Sequence, residues 1–159
     1  MGNAYLKPIY RRIYHKDFSY DSFDQRLEMQ KAVYLLQEMG ASIGDYAFFW
    51  YKHGPYSQDL QDAMHDVCYS TAGNTTSEIA FSKDTDLIIK SVGDMLNQSV
   101  VYSRKDWAEC LASLHYLKTR IYPAFSKNEL ITELEKRKPH LSNRKANEKA
   151  YDLVADLCA

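Results

Sequence analysis

The first strong pattern in the chain is a run of apolar positions that does not keep to one side. At about 100° per residue, Met29, Ala32, Val33, Leu36 and Met39 cover one side of a helix, while Phe23, Leu27 and Tyr34 lie nearly opposite. A helix that is apolar on two sides is buried on two sides, which puts this one at the centre of the fold. Asp21 or Ser22 starts it, and Gly40, which tolerates the left-handed conformation, ends it. A dense aromatic segment follows: Tyr46, Phe48, Phe49, Trp50 and Tyr51, bounded by Gly44 and Gly54. Aromatics favour a pleated, half-buried setting, so this segment is predicted as a strand.

His53-Gly54-Pro55-Tyr56-Ser57 then makes a rigid turn into a second helix. Either Pro55 is the first helical residue or Ser57 is the N-cap. Leu60, Ala63, Met64, Val67 and Cys68 recur at amphipathic spacing in that helix. Ser70 to Ser77 reads as a loop, and Glu78 to Phe81 as a short strand pairing with the aromatic one. A helix over 83–96 is expected to turn Leu87, Ile88, Val92 and Met95 inward. Ser103 caps a helix reaching Tyr122, with Trp107, Cys110, Leu111, Leu114 and Ile121 as its core stripe and His115 as a packed or partly exposed residue rather than a ligand. Ser126 and Glu129 form a capping box ahead of Leu130, Ile131 and Leu134. Ala146, Ala150, Leu153, Val154 and Leu157 mark a last helix.

These elements predict a mainly α fold: one helical domain over residues 21–159 with a small strand or hairpin element, either winged-helix-like or a bundle plus hairpin. Residues 1–20 read as a basic, tyrosine-rich N-terminal arm, packed on the domain or mobile.

Charge narrows the function. The net charge of −1 divides into +3 over residues 1–20, −7 over 21–103 and +3 over 104–159. A chain this near neutrality is a poor candidate for tight nonspecific DNA binding, although a local basic patch is compatible with it. No run approaches the roughly 18 apolar residues of a membrane span, and the first residues lack the apolar core of a secretory signal. Three widely spaced cysteines, Cys68, Cys110 and Cys158, suit a reducing cytoplasm better than a disulfide framework.

Catalytic patterns are missing. The chain has no glycine-rich phosphate loop, no G-x-S-x-G elbow and no H-E-x-x-H. Cys68 belongs to an apolar stripe, where a thiol is an inert hydrophobe rather than a partner for His53. Asp59, Asp62 and Asp66 near His65 read as a solvated acidic face, or one that meets a basic partner, because nothing makes their oxygens converge on a metal. The expectation is therefore a non-enzyme without cofactor or metal.

The segments QKAVYLLQ, FFWYKHGPYSQDL and WAECLASLHYLK resemble the YwgA-like bacterial proteins. More distantly they resemble the Panacea (SocA-like) antitoxin domain, with its K-L-L-Y-type helix and aromatic-x-x-G-P turn. The resemblance covers roughly residues 23–120, and HGPYS is its most specific piece. It implies a protein-interaction module, antitoxin-like or a phage-defence accessory, whose partner is a toxin or a defence-system subunit. The candidate protein-binding residues are Trp50, Tyr51, His53, Gly54, Pro55 and Tyr56. Gly54 and Pro55 are expected to act through backbone geometry. The alternative is a nucleic-acid-binding regulator using a helix-turn-helix-like basic hairpin: Lys136, Arg137, Lys138, Asn143, Arg144 and Lys145. Oligomeric state leaves no mark in the sequence.

Overall fold

Serine caps mark where most helices begin. In the computed structural model, which describes residues 2–69, 80–99 and 101–157, the side chains of Ser22, Ser82, Ser103 and Ser126 each accept a hydrogen bond from the backbone N–H three residues on. Glu129 returns a bond to the Ser126 N–H and completes the capping box. Among the described residues there are seven α-helices: α1 (Leu6–Tyr14), α2 (Phe23–Glu38), α3 (Gln58–Tyr69), α4 (Lys83–Leu96), α5 (Arg104–Tyr116), α6 (Lys127–Arg137) and α7 (Arg144–Leu157). A π-helical segment, Leu117–Ile121, extends α5. One antiparallel hairpin, β1 (Phe49–Tyr51) with β2 (Gly54–Tyr56), lies between α2 and α3. The fold is mainly helical with a small hairpin, as the patterns predict.

Two helices lie at its centre. Every residue of α2 from Leu27 to Leu36 is buried, and so is every residue of α5 from Trp107 to His115. Gly40, at φ +88, ends α2 in a Schellman motif: Ala41 N–H bonds the Leu36 carbonyl and Gly40 N–H the Gln37 carbonyl, both at 3.0 Å. The other helices pack around this pair, α1 and α4 on one side, α6 and α7 against α5, and the buried side chains form one contiguous core. No described helix is long and apolar enough to cross a membrane.

The structure departs from the sequence reading in several places. The strand is only three residues long, and Phe48 leaves it to pack on the Tyr34 ring in the core. Its partner is β2. Ala80 and Phe81 form no strand, and Glu78 and Ile79 lie outside the described residues, as does the predicted loop. Of the two starts the sequence offers for α3, Pro55 sits inside β2 and Ser57 is the cap, as its hydroxyl accepts from Leu60 N–H at 3.2 Å. Leu87 points outward, 58% exposed, because the inward face of α4 follows Thr85, Ile89, Val92 and Leu96, and a residue two steps from Thr85 falls on the opposite side. The N-terminal residues are built into the core. Leu6, Ile9, Tyr10, Ile13 and Tyr14 form the buried stripe of α1, at the spacing of an amphipathic helix.

Gly54 takes φ +88, a conformation costly to any residue with a Cβ. A Cβ there would also stand 2.3 Å from Ser113 Oγ and 3.5 Å from Ser113 Cβ on α5. Gly54→Ala is expected to destabilise the chain by about 1–3 kcal/mol through the backbone, with a similar amount from overpacking. Ser113 Oγ is buried without a hydrogen-bond partner among the described residues, so Ser113→Ala alone is expected to cost under about 1 kcal/mol. In the double variant only the backbone part remains. Denaturant melts of the four proteins measure this coupling, and strictly additive losses would show that the hairpin does not press on α5 at Gly54.

Candidate functional site

The hairpin has two unlike faces. Pairing of Phe49 with Tyr56, Trp50 with Pro55 and Tyr51 with Gly54 puts Phe49, Tyr51 and Tyr56 on one face and Trp50 and Pro55 on the other. Phe49 and Tyr51 are 69% and 55% exposed. The Tyr51 and Tyr56 rings meet at 5.3 Å across the strands. Trp50 faces inward, against the Tyr116 ring at 5.8 Å, with the Arg137 guanidinium and the Lys138 ammonium 5.5 and 5.2 Å from its centroid. In the turn, His53 meets the exposed ring of Phe23 edge-on at 5.4 Å.

Polar side chains from the central helices hold this hairpin by its backbone. Gln30 of α2 both donates to the Ser57 carbonyl at 2.8 Å and accepts from Ser57 N–H at 2.9 Å. Lys31 Nζ donates to the Pro55 carbonyl at 2.6 Å. Gln37 makes the same kind of double bond to Tyr46, at 2.8 and 3.0 Å. Lys138, from the α6–α7 linker, donates to the Lys52 carbonyl at 2.6 Å. A buried polar group left unpaired is costly, so these bonds fix where the hairpin sits.

Behind the turn lies a buried carboxylate. Glu109 of α5 is 1% exposed. Lys138 Nζ is 3.0 Å from Oε2, an ion pair in which that oxygen lacks hydrogen-bond geometry. His140 Nε2 is 3.1 Å and His53 Nδ1 3.7 Å from Oε1. Burial lowers His53 below its usual range against the opposing pull of Glu109, and Lys31, Lys138 and His140 push the same way as burial. Desolvation brings Lys31 down to about 7, although Glu109 opposes that fall. The donor atoms of Asp106, Glu109 and His140 lie within 4.8 Å of one another, a set able to hold a metal ion. His115 is packed: it shares a 2.8 Å hydrogen bond with the Tyr34 hydroxyl, and burial holds it below its ordinary value.

The two groups of sequence-predicted site residues are thus brought together. His53 and Gly54 come from the turn, Lys138 from the basic stretch, and both meet around α5. Most of the basic stretch is engaged within the protein. Lys138 is 3% exposed. Arg137 bonds Glu133 at 2.6 Å and the Tyr122 hydroxyl at 2.9 Å. Arg144 pairs with Glu135 at 3.1 Å, and Asn143 caps α7 by accepting from Ala146 N–H at 3.0 Å. Lys136 and Lys145 stand exposed. Asp59, Asp62 and Asp66 line an open cleft of about 410 Å³ with Asp45.

Sequence reasoning missed Glu109 and Lys31. The signal was present in both cases: charges inside an otherwise largely apolar run, Glu28 and Lys31 in EMQKAVYLL of α2 and Glu109 in WAECLASL of α5. Comparison with protein-family models, with curated proteins and with solved structures finds no match.

Lys31 gives a pH signature. Between about 7 and its ordinary 10.5, the unfolded chain holds a proton that the folded chain has released, so stability rises with pH across that window. Burial pushes the hydroxyls of Tyr10, Tyr14 and Tyr34 well above their ordinary 10.0, and above that pH the unfolded chain loses protons the folded chain keeps, so stability falls. Melting temperature is expected to climb from pH 7 and turn down above pH 10. Lys31→Met should flatten the climb and leave the fall; a variant that still climbs would place the titration elsewhere.

Proposed function

We propose that the chain is a non-catalytic protein-interaction module that binds its partner through the outward face of the β1–β2 hairpin. The observation that carries this reading is the exposure of Phe49 and Tyr51 side by side on a strand whose other face is anchored to the core. Large aromatics are what interfaces concentrate, and anchoring spares binding much of the entropy cost of ordering a loop. A two-stranded hairpin alone is marginal in water, so the bonds from Gln30, Lys31 and Lys138 keep this one presented.

The resemblance to YwgA-like and Panacea proteins supports a cytoplasmic toxin or defence-system subunit as the partner. The internal engagement of Arg137, Lys138, Asn143 and Arg144 weighs against nucleic acid as the main ligand, because the three cations are paired and the Asn143 side chain is used as a helix cap. What remains for phosphates is chiefly Lys136 and Lys145.

The test is a double variant, Phe49→Ser with Tyr51→Ser. Both side chains are exposed, so stability should change by no more than about 1 kcal/mol. Affinity for a partner identified from the native host should fall by at least about tenfold, the loss expected of an interface hot spot. Unchanged affinity would overturn the reading. Salt-steep DNA binding that is weakened by Lys136→Ala with Lys145→Ala, and untouched by the aromatic variant, would favour the nucleic-acid regulator instead.

A further inference from the structure

Three metal-ligating side chains, Asp106, Glu109 and His140, gather their donor atoms behind the hairpin turn, and a fourth, His53, stands beside Glu109. Asp106 and Glu109 are three residues apart on α5, so helical geometry sets both carboxylates on one face. His140 arrives from the α6–α7 linker and His53 from the β1–β2 turn. Around a tetrahedral ion with bonds of about 2.0–2.2 Å, neighbouring donors stand ~3.4 Å apart. The separations from Glu109 Oε1 to His140 Nε2 and to His53 Nδ1, 3.1 and 3.7 Å, bracket that spacing. The Asp106 donor lies within 4.8 Å of the Glu109 and His140 donors, and His53, outside that group, reaches it by turning its ring from its place 3.7 Å from Glu109 Oε1.

The surroundings divide the carboxylate's work. Lys138 holds Glu109 Oε2, so Oε1 is the oxygen turned to the histidines. Glu109 itself is almost fully buried and Oε2 makes no hydrogen bond among the described residues, whereas the side chains of His53 and His140 are 42% and 45% exposed. An ion therefore has a path from solvent to a fixed, buried ligand. Two carboxylates balance the two charges of a divalent ion, leaving the ion and its ligands together neutral among Lys31, Lys105 and Lys138. Lys105 Nζ lies 3.1 Å from Asp106 Oδ1, a partly exposed contact with which the ion competes. Imidazole with carboxylate suits zinc-like ions; magnesium and calcium prefer sites built from oxygen alone.

We propose that Asp106, Glu109, His140 and His53 bind one divalent ion of the zinc class, which ties the hairpin turn to α5 and to the α6–α7 linker. The ion is structural: it joins three elements distant in sequence and fixes the mount on which the aromatic face stands. The site depends on none of the residues of that face.

The experiment titrates the chelator-stripped full-length chain with Zn²⁺ and Co²⁺, following heat by calorimetry and Co²⁺ by visible absorption. One equivalent should bind, Co²⁺ should show absorption of tetrahedral intensity, and Zn²⁺ should raise the melting temperature. His140→Ala, His53→Ala and Asp106→Asn should each weaken binding by more than about a hundredfold, beyond the roughly 10–100-fold that loss of a supporting contact removes. His65→Ala, which removes the His65–Asp66 contact on α3, should leave binding unchanged. Glu109→Gln breaks the buried pair with Lys138 and can unfold the chain, so the three other variants carry the test. His53 and Asp106 are partly exposed, so if His140→Ala does not fold the remaining two decide. Absence of stoichiometric uptake, or uptake that survives these substitutions, would overturn the proposal. The Phe49→Ser and Tyr51→Ser variant should bind the ion as the wild type does, which separates this outcome from that of the docking surface.

Discussion

The structure rests on the absence of a solvent face on α2 and α5. Ten consecutive residues of α2 and nine of α5 are buried, and among them are Glu28, Gln30, Lys31, Glu109, Ser113 and His115. A polar side chain on such a helix has no water to turn to, so whatever packs around the pair must supply partners. Glu28 is met by the Tyr10 hydroxyl of α1 at 2.7 Å and by Arg104 at 3.8 Å. Gln30 and Lys31 are met by the backbone at the end of the hairpin, His115 by Tyr34, and Glu109 by Lys138. The peripheral elements are therefore located by polar demands of the core as much as by apolar contact.

Buried ion pairs of this kind contribute little net stability, because desolvation offsets most of the attraction. Their effect is positional. Breaking one leaves an uncompensated charge, so the hairpin and the α6–α7 linker are confined to the placements that satisfy Lys31 and Glu109. Ser113 Oγ and the Tyr14 hydroxyl are buried without a partner among the described residues, and Glu109 Oε2 has its ion pair with Lys138 but no hydrogen bond. Ser113 sits where Gly54 approaches α5, at a distance that leaves no room for a side chain on the glycine.

This arrangement explains how a three-residue strand pair presents aromatic side chains outward. Trp50 is held from within by Tyr116, Arg137 and Lys138, and the alternation of the strand then turns Phe49 and Tyr51 out. The turn beneath them carries His53 towards the carboxylate that also receives His140. A surface suited to partners and a cluster suited to a metal ion thus share one mount.

Local physics made much of the fold legible in the sequence. A serine before an apolar run caps a helix by local bonds alone, so Ser22, Ser103 and the Ser126–Glu129 box marked true starts. A helix apolar on two sides has no stable place but the centre, and Gly54 took the positive φ that its neighbours made plausible. Tertiary structure decided what depends on contact between distant segments. The partner of β1, the outward turn of Leu87 and the burial of α1 followed from which helix faces met. The convergence of residues 53, 109 and 140 is of the same kind. Sequence spacing constrains only neighbours on one helix or strand, whereas the environment of Glu109 is assembled from elements that meet when α2 and α5 take up their polar partners.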